Sequence, residues 1–189
     1  MARQRKTDSA ELMKAAEILL LEKGYKGFHF KALSEGLDVA RSTIYEYYSN
    51  KDELITDYMI HLMEAIMEKI SQLQQDTDTI NKLKKLLALF LEYSYLHSVM
   101  SIRPLIEQSS SEMVESNLLK LDLYHKEMFE LIIIIIEEAR LAGFLRKDLP
   151  STVAAGIFFH AITIPNVEGF PADKWSSILF DIILNGLKS

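Results

Sequence analysis

FKALSEGLDVARSTIYEYYSNKDEL, residues 30–54, decides the fold. FKALSEGL reads as a short helix, DVA as a tight turn and RSTIYEYY as a second short helix. KDEL then opens a long helix, with Ser49 or Asn50 as its N-cap. Asp38 stands at the turn, and Asp is among the few residues besides glycine that visit left-handed backbone with modest strain. Two short helices joined by a three-residue turn form a helix-turn-helix. Within the second, Ile44 and Tyr48 stand four apart and share the inward face. Arg41, Ser42, Thr43, Tyr45, Glu46 and Tyr47 are left toward solvent or a partner. Tyrosines at helical spacing are ordinarily core or rim, and Tyr48 is assigned to the core, but Arg, Ser, Thr and Tyr together supply donors suited to phosphate oxygens and base edges.

Upstream, SAELMKAAEILLLEKGYKGF repeats apolar residues at 12, 15, 16, 19 and 20, the spacing of one buried helical face, with Ser9 as cap and Gly24 as stop. Strand alternation is nearly absent along the whole chain. With 189 residues, 49% of them hydrophobic and 25% charged, the chain has enough apolar material for a sizeable core. It contains no cysteine, which excludes disulfides and thiolate chemistry and suits a cytoplasmic protein. The basic start has no apolar stretch after it of the kind that marks a secretory signal. The most apolar run, LIIIIIEEA from Leu131, falls far short of the roughly 20 residues that span a bilayer.

The formal net charge of -6 hides an asymmetry. Up to Glu53 there are nine Lys and Arg against nine Asp and Glu, and the remainder holds 12 basic against 18 acidic residues. The acidic excess therefore lies entirely in the later part, and the net charge does not argue against nucleic-acid binding by the first.

The segment AAEILLLEKGYKGFHFKALSEGLDVARSTIYEYYSNKDEL resembles the TetR/AcrR family of bacterial one-component transcription regulators. EKGY closes the first helix, and V-x-x-x-TIYxYYxxKxEL runs from the turn into the fourth; the likeness covers about residues 9–58. It implies an all-α chain, with a three-helix helix-turn-helix DNA-binding domain over 1–52 and a helical ligand-binding and dimerisation domain over 53–189. It also implies that Arg41, Ser42 and Thr43 reach base edges or nearby phosphates, that Tyr45 and Tyr47 bond phosphates, and that Lys51 clamps the DNA backbone from the start of the fourth helix. Lys31, on the second helix, matches a position that contacts DNA in some relatives, and Arg3, Arg5 and Lys6 form a basic arm. His29 and Ala40 stand where the family usually places capping Thr or Ser, and Glu46 adds a negative charge near the DNA face; these departures bear on operator sequence and affinity.

Beyond residue 58 the pattern predicts a helix over about 79–97, a bend near Arg103 and Pro104, and a long helix from about Ser111 to Ala142 with Gly143 as C-cap. An eighth helix is opened by Asp148 and Pro150, and a ninth runs from about Ala172. The isoleucines 132–136 imply a helix buried on all sides. Reading a palindrome takes two recognition helices about 34–36 Å apart, hence a homodimer. Its candidate surface is Ala154, Ala155, Gly156 and Phe158, where small residues permit close approach, with the stripe Trp175, Ile178, Leu179 and Ile182. Ligand pockets are mostly apolar with a few placed polar groups, which selects Phe90, Tyr93, His97, Arg103, Tyr124, Met128, Phe129, Phe159 and His160.

These signals point to a ligand-responsive regulator, a repressor that binds a palindromic operator as a dimer and is released by a small apolar or amphipathic effector. An interaction module that has lost DNA recognition is the alternative. No enzyme, cofactor or metal is expected. His61 with Glu64, and Asp122 with His125, are isolated pairs, and no G-x-S-x-G or H-E-x-x-H occurs.

Overall fold

The computed structural model describes residues 8–187, so the basic arm at Arg3, Arg5 and Lys6 lies outside the described residues. Their regular structure is all helical, with no strand among the described residues. Nine α-helices follow in order: α1 Ser9–Gly27, α2 Phe30–Leu37, α3 Arg41–Tyr45, α4 Lys51–Leu73, α5 Thr79–Glu92, α6 Tyr95–Met100, α7 Glu112–Leu141, α8 Ser151–His160 and α9 Ala172–Leu187. None of them is long and apolar enough to cross a membrane.

The residues form two compact units, 8–63 with 95–122 and 64–94 with 123–187. Unit one buries Leu12, Ala16 and Leu20 of α1, Leu33 of α2 and Ile44 of α3, with α1 packed on α2 and α6, and α2 on α3. Asp8, not Ser9, caps α1, its Oδ1 accepting from the Glu11 amide at 2.8 Å. Gly24 breaks the regular helix as expected, at φ 63° and ψ -179°, and a short helical turn follows it across the kink to Gly27. That backbone region is essentially closed to residues with a Cβ. The turn after α2 is as expected: Asp38 adopts the left-handed conformation, φ 54° and ψ 47°, and the Val39 amide bonds the Ser34 carbonyl at 3.1 Å.

Of the two N-cap candidates for α4, Asn50 serves: its Oδ1 accepts from the amides of Asp52 at 2.9 Å and Glu53 at 3.0 Å. Glu53 reaches back to the Ser49 amide at 2.6 Å, and reciprocal bonding of this kind satisfies the unpaired donors at a helix start.

Unit two is a layer of α5 packed against α8 and α9, with the later part of α7 buried beside them. The helix expected over 79–97 is interrupted: Tyr93 leaves helical geometry at φ -98°, ψ 22°, and α6 starts afresh at Tyr95. The isoleucine run is helical but not buried on all sides. Ile132, Ile135 and Ile136, with Ala139, are fully buried, whereas Ile134 is 47% exposed. The spacing i, i+3, i+4, i+7 of the buried four is that of a helix packed on one face. Gly143 terminates α7 at φ 81°, and the Phe144 amide bonds the Ala139 carbonyl at 3.0 Å, the bond that closes a Schellman-type end. Asp148 does not cap α8. It pairs with Arg146 at 2.6 Å, and Pro150 occupies the cap position without a side-chain bond.

Gly24→Ala tests the kink. Nothing lies within 4 Å of where the added Cβ would sit, so the cost is backbone strain alone. A loss of about 1–3 kcal/mol is expected in urea unfolding.

Candidate nucleic-acid interface

A five-residue helix has one turn and no stability of its own. α3 is held by its inward side chains: Ile44 is fully buried, Tyr48 is 6% exposed, and the Tyr48 hydroxyl donates to Asp57 on α4. Burial first, and that hydrogen bond second, push the Tyr48 phenol well above its ordinary range. The opposite side carries Arg41, Ser42, Tyr45 and Tyr47, all exposed, with Thr43 half-buried between them. Tyr45 is not free to swing, because Phe30 of α2 meets its ring edge to face at 5.1 Å and 73°. Neither Ala40 nor His29 makes a side-chain cap bond, so the helix starts α2 and α3 leave backbone amides without a side-chain acceptor.

Beside α3 lies a cleft of about 440 Å³ lined by Phe28, His29, Phe30, Lys31, Arg41, Tyr45, Ser49, Asn50 and Lys51. None of the lining residues is acidic. Of the seven side chains assigned to DNA contact, Lys31, Arg41, Tyr45 and Lys51 therefore converge on one concavity, while Ser42, Thr43 and Tyr47 stand on the helix outside its lining. Lys31 is drawn toward Glu35 at 3.9 Å, an exposed pair that contributes little. Lys51 is held more firmly. Its ammonium donates to the Tyr25 carbonyl at 3.1 Å and lies 3.8 Å from the Tyr25 ring centroid. The kink at Gly24 precedes that carbonyl directly, and the Tyr25 hydroxyl donates in turn to Asp52 at 2.9 Å. Burial, the bond to Asp52, and the charges of Asp52 and Glu107 push the Tyr25 phenol up to about 12. His29, at a position where the family usually places a phosphate-contacting Thr or Ser, joins the cleft, as does Ser49, which the sequence offers only as a cap.

The residues chosen for a ligand pocket divide between the units. His97 and Arg103 lie in unit one, where Arg103 bonds Asp122 at 2.5 Å. In unit two Phe90 meets Phe159 edge to face at 5.8 Å, Phe159 meets His160 at 5.5 Å, and Met128 is buried. Tyr93 lies under Lys69 at 4.7 Å, and Tyr124 donates to Glu64 at 2.9 Å. Phe129 is half-buried on α7. Of the residues assigned to a dimer surface, Ala154, Ala155, Phe158 and Leu179 are buried within the chain itself and so pack internally. Gly156, Trp175 and Ile178 are half-buried, and Ile182 is 62% exposed. The outward side of α8 is instead Val153 and Ile157. No group of three His, Asp or Glu among the described residues is placed to hold a metal.

Residues 12–58 match the model for bacterial regulatory proteins of the tetR family. No curated protein matches the chain. Among solved structures, the ketosteroid transcriptional regulator KstR2 of Mycobacterium tuberculosis is similar at a TM-score of 0.74 and 14% identity, over 99% of this chain and 100% of its own. FadR of Bacillus subtilis, solved in complex with stearoyl-CoA, is similar at 0.67 and 16% identity, over 95% and 100%. AibR, solved in complex with isovaleryl coenzyme A and operator DNA, is similar at 0.68 and 18% identity, over 94% and 96%. At these identities the likeness is one of fold, and it extends well beyond the matched N-terminal segment.

The raised Tyr25 phenol has a consequence for stability at high pH. A group whose folded pKa lies above its unfolded value stabilises fully below the unfolded value and loses that contribution as pH rises through the folded one. Stability from Tyr25 should therefore decline between the ordinary tyrosine value of 10.0 and about 12. In an absorbance titration, Tyr25→Phe should remove one phenolate step near 12.

Proposed function

Over residues 12–58 this chain belongs to the tetR family of bacterial regulatory proteins, and on that premise we propose that it is a ligand-responsive transcriptional repressor that binds a palindromic operator as a homodimer. The observation that supports this most is α3: its outward side is exposed, next to a cleft in which Lys31, Arg41 and Lys51 converge with no carboxylate in the lining. Phosphates need cations and hydroxyls held in register, and base edges need donors at the start of a helix that fits the major groove. In this reading Arg41, Ser42 and Thr43 face base edges, while Lys31, Tyr45, Tyr47 and Lys51 hold phosphates. The role is that of a cytoplasmic DNA-binding protein.

Homodimerisation follows from the need to read two half-sites. The outward apolar residues Val153 and Ile157 of α8 and Ile182 of α9, with Gly156 and Ile178, supply a surface for a second copy. The effector is proposed to be small and apolar or amphipathic, held near the Phe90, Phe159 and His160 rings, with Tyr93, Tyr124, Met128 and Phe129 around them. Two structures of similar fold hold coenzyme A thioesters, which supports an amphipathic effector. Effector and operator select different conformers, so each weakens the other's binding by the same factor.

Two measurements test the reading. Fluorescence anisotropy with DNA from upstream of the protein's own gene, against a scrambled duplex, should show preferential binding. A protein contacting about 6–10 phosphates loses about 10³–10⁵-fold in affinity between about 50 and 200 mM salt. Arg41→Ala should weaken binding and, by removing one phosphate or base contact, lower the salt slope by about 1; equal weak binding to both duplexes, unaffected by Arg41→Ala, would refute specific recognition. Ile157→Arg combined with Ile182→Arg should convert a sedimenting dimer into a folded monomer and abolish operator preference; a monomeric parent protein at micromolar concentration would sink the dimer.

A further inference from the structure

Unit two contains a second concavity, and none of the residues proposed for the effector lines it. α5, the segment 162–170 and the first turns of α9 enclose a cleft of about 1000 Å³. Leu91, Ile162, Ile164, Phe170 and Trp175 form its apolar walls. Those walls are preorganised: the Phe170 and Trp175 rings stack at 6.4 Å and 19°. Asn166 ties the loop by donating to the Phe170 carbonyl at 2.8 Å and accepting from the Phe170 amide at 3.0 Å.

Two polar residues stand out in the lining, Ser176 and Lys84. Ser176 is only 6% exposed, and its Oγ is buried with no hydrogen-bond partner among the described residues, although it lines the cavity. Buried hydroxyls in folded proteins are nearly always bonded, so an unmatched one on a residue that lines a cavity can be offered to a ligand oxygen by rotation about χ1. The charged lining residues are Lys84, Lys85, Glu92 and Asp173. Lys85 is already paired with Asp76 at 2.8 Å and Glu92 with Lys69 at 3.0 Å. Asp173 stands in the first turn of α9, where the positive end of the helix dipole favours a carboxylate. Lys84 is the cation left for a ligand.

We infer that this cleft binds a small amphipathic acid, its apolar body against Trp175, Ile162 and Ile164 and its acidic oxygens toward the Lys84 ammonium and the Ser176 hydroxyl. The inference goes beyond the regulatory reading and stands whether or not α3 binds DNA, because its test uses no DNA. Trp175 is the single tryptophan of the chain, so its emission reports on this cleft alone. The full chain is titrated with dodecanoate below its micelle threshold and, in parallel, with dodecylammonium, which has the same tail and the opposite charge. Dodecanoate should shift Trp175 emission saturably and bind more tightly than dodecylammonium. Lys84→Glu should weaken dodecanoate by about tenfold, the scale of one charged hydrogen bond. Ser176→Ala should also weaken it while leaving the thermal midpoint unchanged, since its hydroxyl has no partner to lose. A silent Trp175, equal response to the two probes, or undiminished dodecanoate binding in both variants overturns the site.

Discussion

The burial of two side chains, Ile44 and Tyr48, is the constraint on which the rest of unit one depends. α3 is a single turn, too short to hold itself by backbone hydrogen bonds, and neither end has a side-chain cap. Removing the Ile44 side chain from a fully buried position would cost about 2–5 kcal/mol, a large share of a small domain's stability. Because one face is anchored so firmly, the other can carry polar and aromatic groups that stay largely outside the core, Tyr45 touching it through the Phe30 ring. The exposed Tyr45 and Tyr47 and the buried Tyr48 thus differ in role through helical phase alone.

The junction of α1 and α4 applies the same logic to a charge. A lysine on a surface helix normally samples many rotamers, and ordering it costs entropy. Here the Tyr25 carbonyl, which follows the kink at Gly24, and the Tyr25 ring together hold the Lys51 ammonium toward the cleft. Asp52 and Glu53, both buried, accept from the Tyr25 hydroxyl and the Ser49 amide, and neither lines the cleft. A strained glycine and an ordered cation are two ends of one arrangement.

Unit two solves a different problem, how to pack several apolar helices while leaving surface for partners. Lys82 is almost wholly buried on α5 and is matched by Glu138 of α7 at 2.6 Å, so the layer carries a specific polar link among Leu and Ile contacts. α8 divides sharply, with Ala154, Ala155 and Phe158 inward and Val153 and Ile157 outward. Small residues at 154 and 155 thus serve packing inside the chain rather than against a second copy.

The order of helices, the turn at Asp38, the inward pair Ile44 and Tyr48, and the stop at Gly143 were all legible in the sequence, because each depends on residues within a few positions of one another. Periodicity, capping chemistry and left-handed tolerance are local properties. It did not reveal that only one face of the isoleucine run is buried, or that 154, 155 and 158 point inward. Nor could it join Lys51 to Tyr25, since those residues are brought together by packing between helices. Local rules determined which elements form and which side chains share a face; only the tertiary structure decided what each face meets, because burial, charge pairing and cavity shape belong to neighbours far apart in the chain.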